Sequence, residues 1–370
     1  MSIKTVYSAD KTVKDAVFSI KEQLKGFDTN MVLYFASSSY DKESISKEME
    51  SEFRGSKVFG CSTSGEITSG LMLKNSIVVM AFDKDTISDV HIEVVQNLKQ
   101  NVDVDSAFKA FEKYYGESVI NMDMDKYVGI VLIDGLSMKE ERVMELISAK
   151  TDICFVGGSA GDDLKFNETS VFANGKAYSN AAVLALIKSN AKFSIIKTQS
   201  FKATGKKLVT TKVDEKSREV YEFNNESAVG AYAKALSVDK VDVQNYFMSN
   251  PVGLEVAEDI YVRSPQRTKD NSIVFYCNIM EGMEVKLLES TDMIKDTKKA
   301  IYDKQKEMGD IGGIINFHCI LRTLELEKNG NTKEYGEIFS NMPTIGFSTY
   351  GEAYLGHINQ TSTMLAFKKK

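Results

Sequence analysis

Arg322, Glu352 and the hydroxyl run Ser348-Thr349-Tyr350 are residue types that together can hold a small zwitterion. A guanidinium grips a carboxylate at two points through its planar fork, and an acid beside it accepts an ammonium group. The hydroxyls belong to a glycine-bracketed segment, Gly346-Phe347-Ser348-Thr349-Tyr350-Gly351-Glu352. It has two earlier counterparts, Gly60-Cys61-Ser62-Thr63-Ser64-Gly65-Glu66 and Gly157-Gly158-Ser159-Ala160-Gly161-Asp162. A strand that turns through such a segment exposes consecutive N–H groups and hydroxyls, because glycine permits positive φ and close approach. The same residues can equally make a tight turn that satisfies its own backbone. The third copy is the stronger ligand candidate, since Arg263 and Arg322 lie in the same half of the chain and Tyr350 adds an aromatic wall. In a lysine-rich sequence an arginine among apolar strand residues is an unusual surface charge. The competing role for Arg322 is a buried ion pair with Glu352 or another acid.

The elements that must position these residues repeat with them. Met31 to Phe35 is a continuous apolar run, the pattern of a strand buried on both faces. Ile45, Met49 and Phe53 then share one helical face, Lys57-Val58-Phe59 leads into the first motif, and Ser76 to Phe82 reads as the next strand. The order recurs about 97 residues on, too long a period for a solenoid and suited to duplicated lobes. There it comprises Ile130-Ile133, a helix with Val143, Leu146 and Ile147, Ile153-Val156, the second motif and Ala181-Ile187. In a third unit Gly313-Phe317 supplies the first strand and Met364-Phe367 the last. Between units two and three a different pattern begins near Thr210. It has a strand over Lys207-Val213, a helix capped by Asn224-Asn225-Glu226-Ser227, strands around Ile260, Val274 and Val285, and a helix from Thr291 to Met308.

These motifs, with Val262-Arg263-Ser264-Pro265 and Cys319-Ile320-Leu321-Arg322, resemble the FIST family, a bacterial and archaeal sensory module with an N-terminal and a C-terminal domain. The resemblance covers almost the whole chain and includes the order of the motifs. It departs at Ile320 and Leu321, where the family usually has small residues. The candidate ligand-binding residues are Arg263, Cys319, Arg322, Ser348, Thr349, Tyr350 and Glu352, with Cys61, Ser62, Thr63, Glu66, Ser159 and Asp162 as secondary candidates. The family is associated with sensing small molecules such as amino acids and with kinase, cyclase or chemotaxis outputs. Some members are described as haem-binding sensors of nitric oxide, for which His318 or His357 is the candidate axial ligand.

Composition narrows the classes. The 370 residues suit two domains, 43% of them are hydrophobic, and a net charge of -6 spread along the chain gives no basic footprint for nucleic acid. No run approaches a membrane span and the N-terminus lacks a signal-peptide core, so a cytoplasmic protein is expected. The cysteines, Cys61, Cys154, Cys277 and Cys319, lack metal spacing and read as buried free thiols. His91, His318 and His357 show no catalytic spacing, and a strand follows each motif where a nucleophile elbow requires a helix.

The expectation is an α/β protein of duplicated β-α-β-β units, whose mixed sheets are layered with helices in two closely packed domains. Residues 1–209 form the N-terminal domain, with repeat units at about 28–100 and 125–200, and residues 210–370 form the C-terminal domain. Each unit opens as a parallel β-α-β crossover, and its antiparallel hairpin extends the same sheet. The expected function is binding of an amino acid or other small carboxylate in a sensory pathway, with no catalysis, metal or resident cofactor. Output passes to a protein partner such as a histidine kinase, cyclase or chemotaxis component. Haem-based sensing is the alternative, and a hydrolase stands behind it.

Overall fold

The computed structural model describes residues 2–256 and 259–369. Two compact units divide the chain. One comprises Met1–Lys197, Lys298–His357 and Ser362–Lys370, and the other Thr198–Thr297 with Ile358–Thr361. The boundary expected at 209/210 therefore falls inside a strand, and the third motif-bearing repeat joins the first two.

Repeat one runs β1 (Ile3–Ser8), α1 (Val13–Gln23), β2 (Met31–Ser37), α2 (Lys42–Glu52), β3 (Lys57–Thr63), β4 (Glu66–Thr68), β5 (Leu71–Leu73) and β6 (Ile77–Phe82). Repeat two has the same order: β7 (Ile87–Gln96), α3 (Asp105–Tyr115), β8 (Tyr127–Ile133), α4 (Glu140–Ser148), β9 (Phe155–Ser159), β10 (Val171–Ala173), β11 (Lys176–Tyr178) and β12 (Ala181–Ser189). Repeat three starts with β13 (Phe193–Gln199). The chain then supplies β14 (Phe201–Asp214), β15 (Glu219–Phe223), β16 (Glu226–Ser227), α5 (Ala228–Leu236), β17 (Val252–Val256), β18 (Asp259–Arg263), β19 (Pro265–Lys269), β20 (Ser272–Phe275) and β21 (Glu284–Ser290). The repeat resumes with α6 (Met293–Met308), β22 (Ile311–Cys319), α7 (Ile320–Asn329), α8 (Thr332–Glu337), β23 (Thr344–Thr349), β24 (Glu352–Tyr354), β25 (His357–Ile358) and β26 (Thr361–Lys368). The second unit is thus an insertion after the first strand of repeat three.

The helices α1 and α2 start where the sequence offers caps. Thr12 accepts from the N–H of Asp15 at 3.1 Å and Asp41 from that of Ser44 at 2.9 Å, satisfying donors that lack an intrahelical partner. The expected face of α2 is buried at Ile45 and Met49.

Three six-stranded sheets result, in the orders β1-β6-β2-β3-β10-β11, β7-β12-β8-β9-β24-β25 and β13-β26-β22-β23-β4-β5. As expected, each holds a parallel pair, β2 with β3, β8 with β9 and β22 with β23. The hairpin after each motif departs from expectation, because it leaves its own repeat. β10–β11 of repeat two extends the sheet of repeat one, β24–β25 extends that of repeat two, and β4–β5 closes the circle on repeat three. The turn at the motif carries the chain away from its own sheet edge, and the neighbouring repeat's hairpin pairs with that edge.

Strand alternation sets two layers of core. One side of every sheet faces a shared interior that includes Leu33, Phe35, Ile130, Leu132, Ile315 and Phe317. The other side of the first sheet, with Val32, Tyr34 and Ala36, packs on α1 and α2, and that of the second, with Val131 and Ile133, on α3 and α4. The second unit is an eight-stranded sheet with α5 on a core of Phe223, Tyr232, Phe275 and Leu287. Among the described residues no helix is long and apolar enough to cross a membrane.

Candidate functional site

The first glycine of each motif exists for strand packing. Gly60, Gly157 and Gly346 lie opposite Tyr34, Val131 and Asn316 in the parallel pairs, and a Cβ on any of them would overlap the carbonyl oxygen of that partner. Beyond the glycines the three motifs tie into a ring. Gly161 N–H donates to Ser62 O at 3.0 Å and Ser62 Oγ to Gly161 O at 2.9 Å. Ser159 N–H donates to Gly351 O at 2.9 Å, and Thr349 Oγ1 to Ser159 O at 2.8 Å. Ser348 N–H donates to Gly65 O at 2.8 Å and Ser64 N–H to Ser348 O at 3.3 Å, with Gly65 at φ 125° where a side chain would be strained. The hydroxyls of Ser62, Thr63, Ser64, Thr349 and Tyr350 are all engaged within this junction.

The acid that ends each motif meets a different fate in each copy. Glu66 is buried, accepts from Ser76 Oγ at 2.6 Å and from the Ser76 N–H at 3.0 Å, and takes a further bond from Thr63. Burial pushes its carboxyl up to about 7 despite those donors. At Asp162 burial also pushes upward, but Tyr350 and the N–H groups of Glu168, Asn167 and Phe166 outweigh it and hold the carboxyl below its usual value. Tyr350 reaches Asp162 from repeat three and stacks on Phe166 at 5.2 Å. Glu352 is fully buried on β24, opposite Gly158.

Positions facing the helices distinguish the third sheet. Tyr34 and Ala36 of β2 and Val131 and Ile133 of β8 correspond through the motif register to Asn316 and His318 of β22. Ser362 of β26 sits beside His318, where Ile77 and Ala182 sit beside Ala36 and Ile133. A buried network follows. Tyr335 of α8 meets His318 Nδ1 at 2.9 Å and Ser362 Oγ at 3.3 Å, Ser362 Oγ donates to Asn316 Oδ1 at 2.7 Å, and Thr323 of α7 meets Ser348 Oγ at 2.7 Å. Arg322, in the first turn of α7, is only 1% exposed. Burial, aided by the Arg322 charge, holds the His318 imidazole well below its usual pKa, so it is neutral. Burial raises the carboxyl of Glu325, and Arg322 partly offsets this.

Of the residues singled out by sequence, this layer brings together Arg322, Ser348 and His318, with Cys319 buried at the N-cap position of α7. Ser62, Thr63, Glu66, Ser159, Asp162, Thr349 and Tyr350 gather at the motif junction, whereas Cys61 packs into the shared apolar interior. Arg263 belongs to the second unit, at the end of β18. His357 is buried where a Cβ on Gly351 would overlap its ring. Sequence reasoning missed Asn316, Thr323, Tyr335 and Ser362. The polar alternation of Asn316 and His318 within an apolar strand was the available signal, whereas Tyr335 lies on a helix of only six residues.

Comparison with known proteins identifies the family. A stretch of 297 residues is 24% identical to an uncharacterized protein of Methanocaldococcus jannaschii, covering 76% of this chain and 57% of that relative. The chain thus spans under two thirds of the relative's length. Residues 30–226 match the FIST N domain and residues 228–354 the FIST C domain, domains of sensory and signal-transduction proteins. The chain belongs to the FIST family.

Proposed function

We propose that this protein is a cytoplasmic sensor that binds an amino acid or another small carboxylate without transforming it, and passes the signal to a protein partner such as a histidine kinase, cyclase or chemotaxis component. One observation carries the reading. Repeat three places Asn316 and His318 at the positions that repeats one and two fill with Tyr34, Ala36, Val131 and Ile133, and carries the buried Arg322 on the helix that follows. A polar layer holds a sheet against its helices no better than apolar residues of similar shape would, and in a crossover of this kind the end of the parallel strands is where ligands usually dock.

The haem alternative fits less well. His318 is fully buried with the Tyr335 ring 4.6 Å away, and His357 is buried against Gly351, so a macrocycle reaches either imidazole only after these contacts are displaced. Hydrolysis finds no support in the motif hydroxyls, which the junction already occupies. Calorimetric titration with a panel of amino acids and small carboxylates tests the reading. Arg322→Ala is expected to bind the ligand roughly tenfold or more weakly, the loss of one charge-assisted interaction of about 1.5–3 kcal/mol. A variant that folds normally and binds as wild type does rules Arg322 out as the anchor.

A further inference from the structure

We propose that repeat one carries a second small-molecule site, a cavity at the carboxyl ends of β2 and β3 that takes a small neutral polyol. It shares no residue with the carboxylate site of repeat three. Its volume is about 200 Å³, about seven waters at roughly 30 Å³ each, which suits a molecule of about three to five carbons. Ligands of crossover folds dock beyond the carboxyl ends of parallel strands, and here Ser37 closes β2 while Ser62 lies next to the end of β3. Repeat two supplies the opposite wall. Asp162 accepts from the N–H groups of Phe166, Asn167 and Glu168, which sets the segment that carries Glu168. Ser170 N–H donates to Ser62 Oγ at 3.0 Å and Ser62 N–H to Ser170 O at 2.9 Å, and Phe172 stacks on Tyr34 at 5.5 Å. The cavity is therefore in place before any ligand arrives.

Three features of its lining select the ligand. The first is an unpaired hydroxyl. Ser170 is 2% exposed, lies two residues before Phe172 and so on the same side of the chain, and its Oγ has no hydrogen-bond partner among the described residues. A buried hydroxyl left unbonded is unfavourable, so it marks a place for a ligand oxygen. The second is the ion pair of Lys42 with Glu168, which is partly exposed and forms the mouth. An ammonium only donates and a carboxylate only accepts. Adjacent hydroxyls of a diol satisfy both, one accepting from Lys42 Nζ and the other donating to Glu168. The third is apolar surface on Ile45 and Phe172, which suits the C–H face of a short carbon chain. Charge disfavours a carboxylate here, because two acids, Asp41 and Glu168, line the cavity against one lysine, Lys42.

Glycerol, erythritol, D-ribose and D-xylose test this, titrated into the full chain by calorimetry and followed at the Ser170 and Phe172 amides by proton–nitrogen NMR, with acetate as the anionic comparison. At least one polyol is expected to bind saturably and shift both resonances. Binding should be about tenfold weaker in Glu168→Ala and about threefold weaker in Ser170→Ala. Both variants should melt as wild type does, since the pair lies at the surface and the Ser170 hydroxyl bonds nothing. A lower melting temperature for Ser170→Ala makes its hydroxyl a structural group and overturns the inference. So does the absence of any polyol response, or polyol binding that either variant leaves unchanged. Acetate shifting these amides where the polyols do not makes the cavity an anion site and also overturns it. None of these outcomes bears on Arg322, so the carboxylate reading of repeat three stands or falls by its own titration.

Discussion

The helix-facing layers of the first two sheets and that of the third share a backbone plan and differ in chemistry. Tyr34 with Ala36, and Val131 with Ile133, sit in apolar clusters with their helices, a plain route to stability through burial. Asn316, His318 and Ser362, at the same register positions, are tied to Tyr335 instead. Polar groups in such a place hold a fold no better than apolar ones of similar shape. Where duplication supplies two working apolar layers, the layer that abandons the pattern is the one to read for function. The junction of the three motifs teaches the converse. Its hydroxyls and glycines recur because all three repeats need the same ring, and recurrence there is structural.

The harshest way to break this comparison is to remove the third repeat. A chain of residues 1–226 leaves the β4–β5 hairpin without β23 and β9 without β24, and it opens the shared core on the side of Ile315, Phe317 and Phe347. It is expected to show no cooperative thermal transition. A cooperatively melting 1–226 fragment shows that the hairpin exchange is dispensable. Single alanines at the motif glycines come next. Gly60→Ala, Gly157→Ala and Gly346→Ala each force strands apart, and each should lower stability by roughly 3 kcal/mol or more in denaturant titration. Alikeness among the three is the point, and a tolerated Gly346→Ala means the third pair is not packed like the others.

Glu66 offers a finer measure of the junction. Its carboxyl ionises near 4.5 in the unfolded chain and near 7 in the folded one. Between those values the folded protein holds a proton that the unfolded chain has released. The site's contribution is fully present below about 4.5 and is lost as pH rises to about 7, on the order of 3 kcal/mol. Glu66→Gln should flatten this part of the stability–pH curve. A wild-type curve that rises through the same window contradicts the protonated state.

Much of the scaffold was legible because apolar runs, helical spacing and the repeated motif are local signals. The strand pair Met31–Ser37 and Lys57–Thr63 follows from them directly. Hairpin exchange left no such mark, since Ile67 and Phe172 read as strand residues whichever sheet receives them. The second unit was legible as a change of pattern but not as an insertion, because the single strand β13 before it looks complete in sequence. At the site, Arg322 stood out by type, while Asn316 and Ser362 acquire meaning only when register sets them beside Tyr335.

The smallest effect separates function from stability in the third layer. Asn316→Val alone, which restores the residue type of repeat two, leaves Ser362 and Tyr335 short of a partner and should cost about 1–3 kcal/mol. Adding Ser362→Ala, Tyr335→Phe and His318→Ile removes those partners and the imidazole that Tyr335 holds, and the fourfold variant should recover to within about 1 kcal/mol of wild type or exceed it, as apolar replacements of buried networks often do. Equilibrium denaturation of single and fourfold variants measures this coupling. Recovery of stability with loss of carboxylate binding assigns the polar layer to the ligand. A fourfold variant that is less stable than Asn316→Val makes the network a structural necessity of repeat three, and the contrast between the layers then says nothing about function.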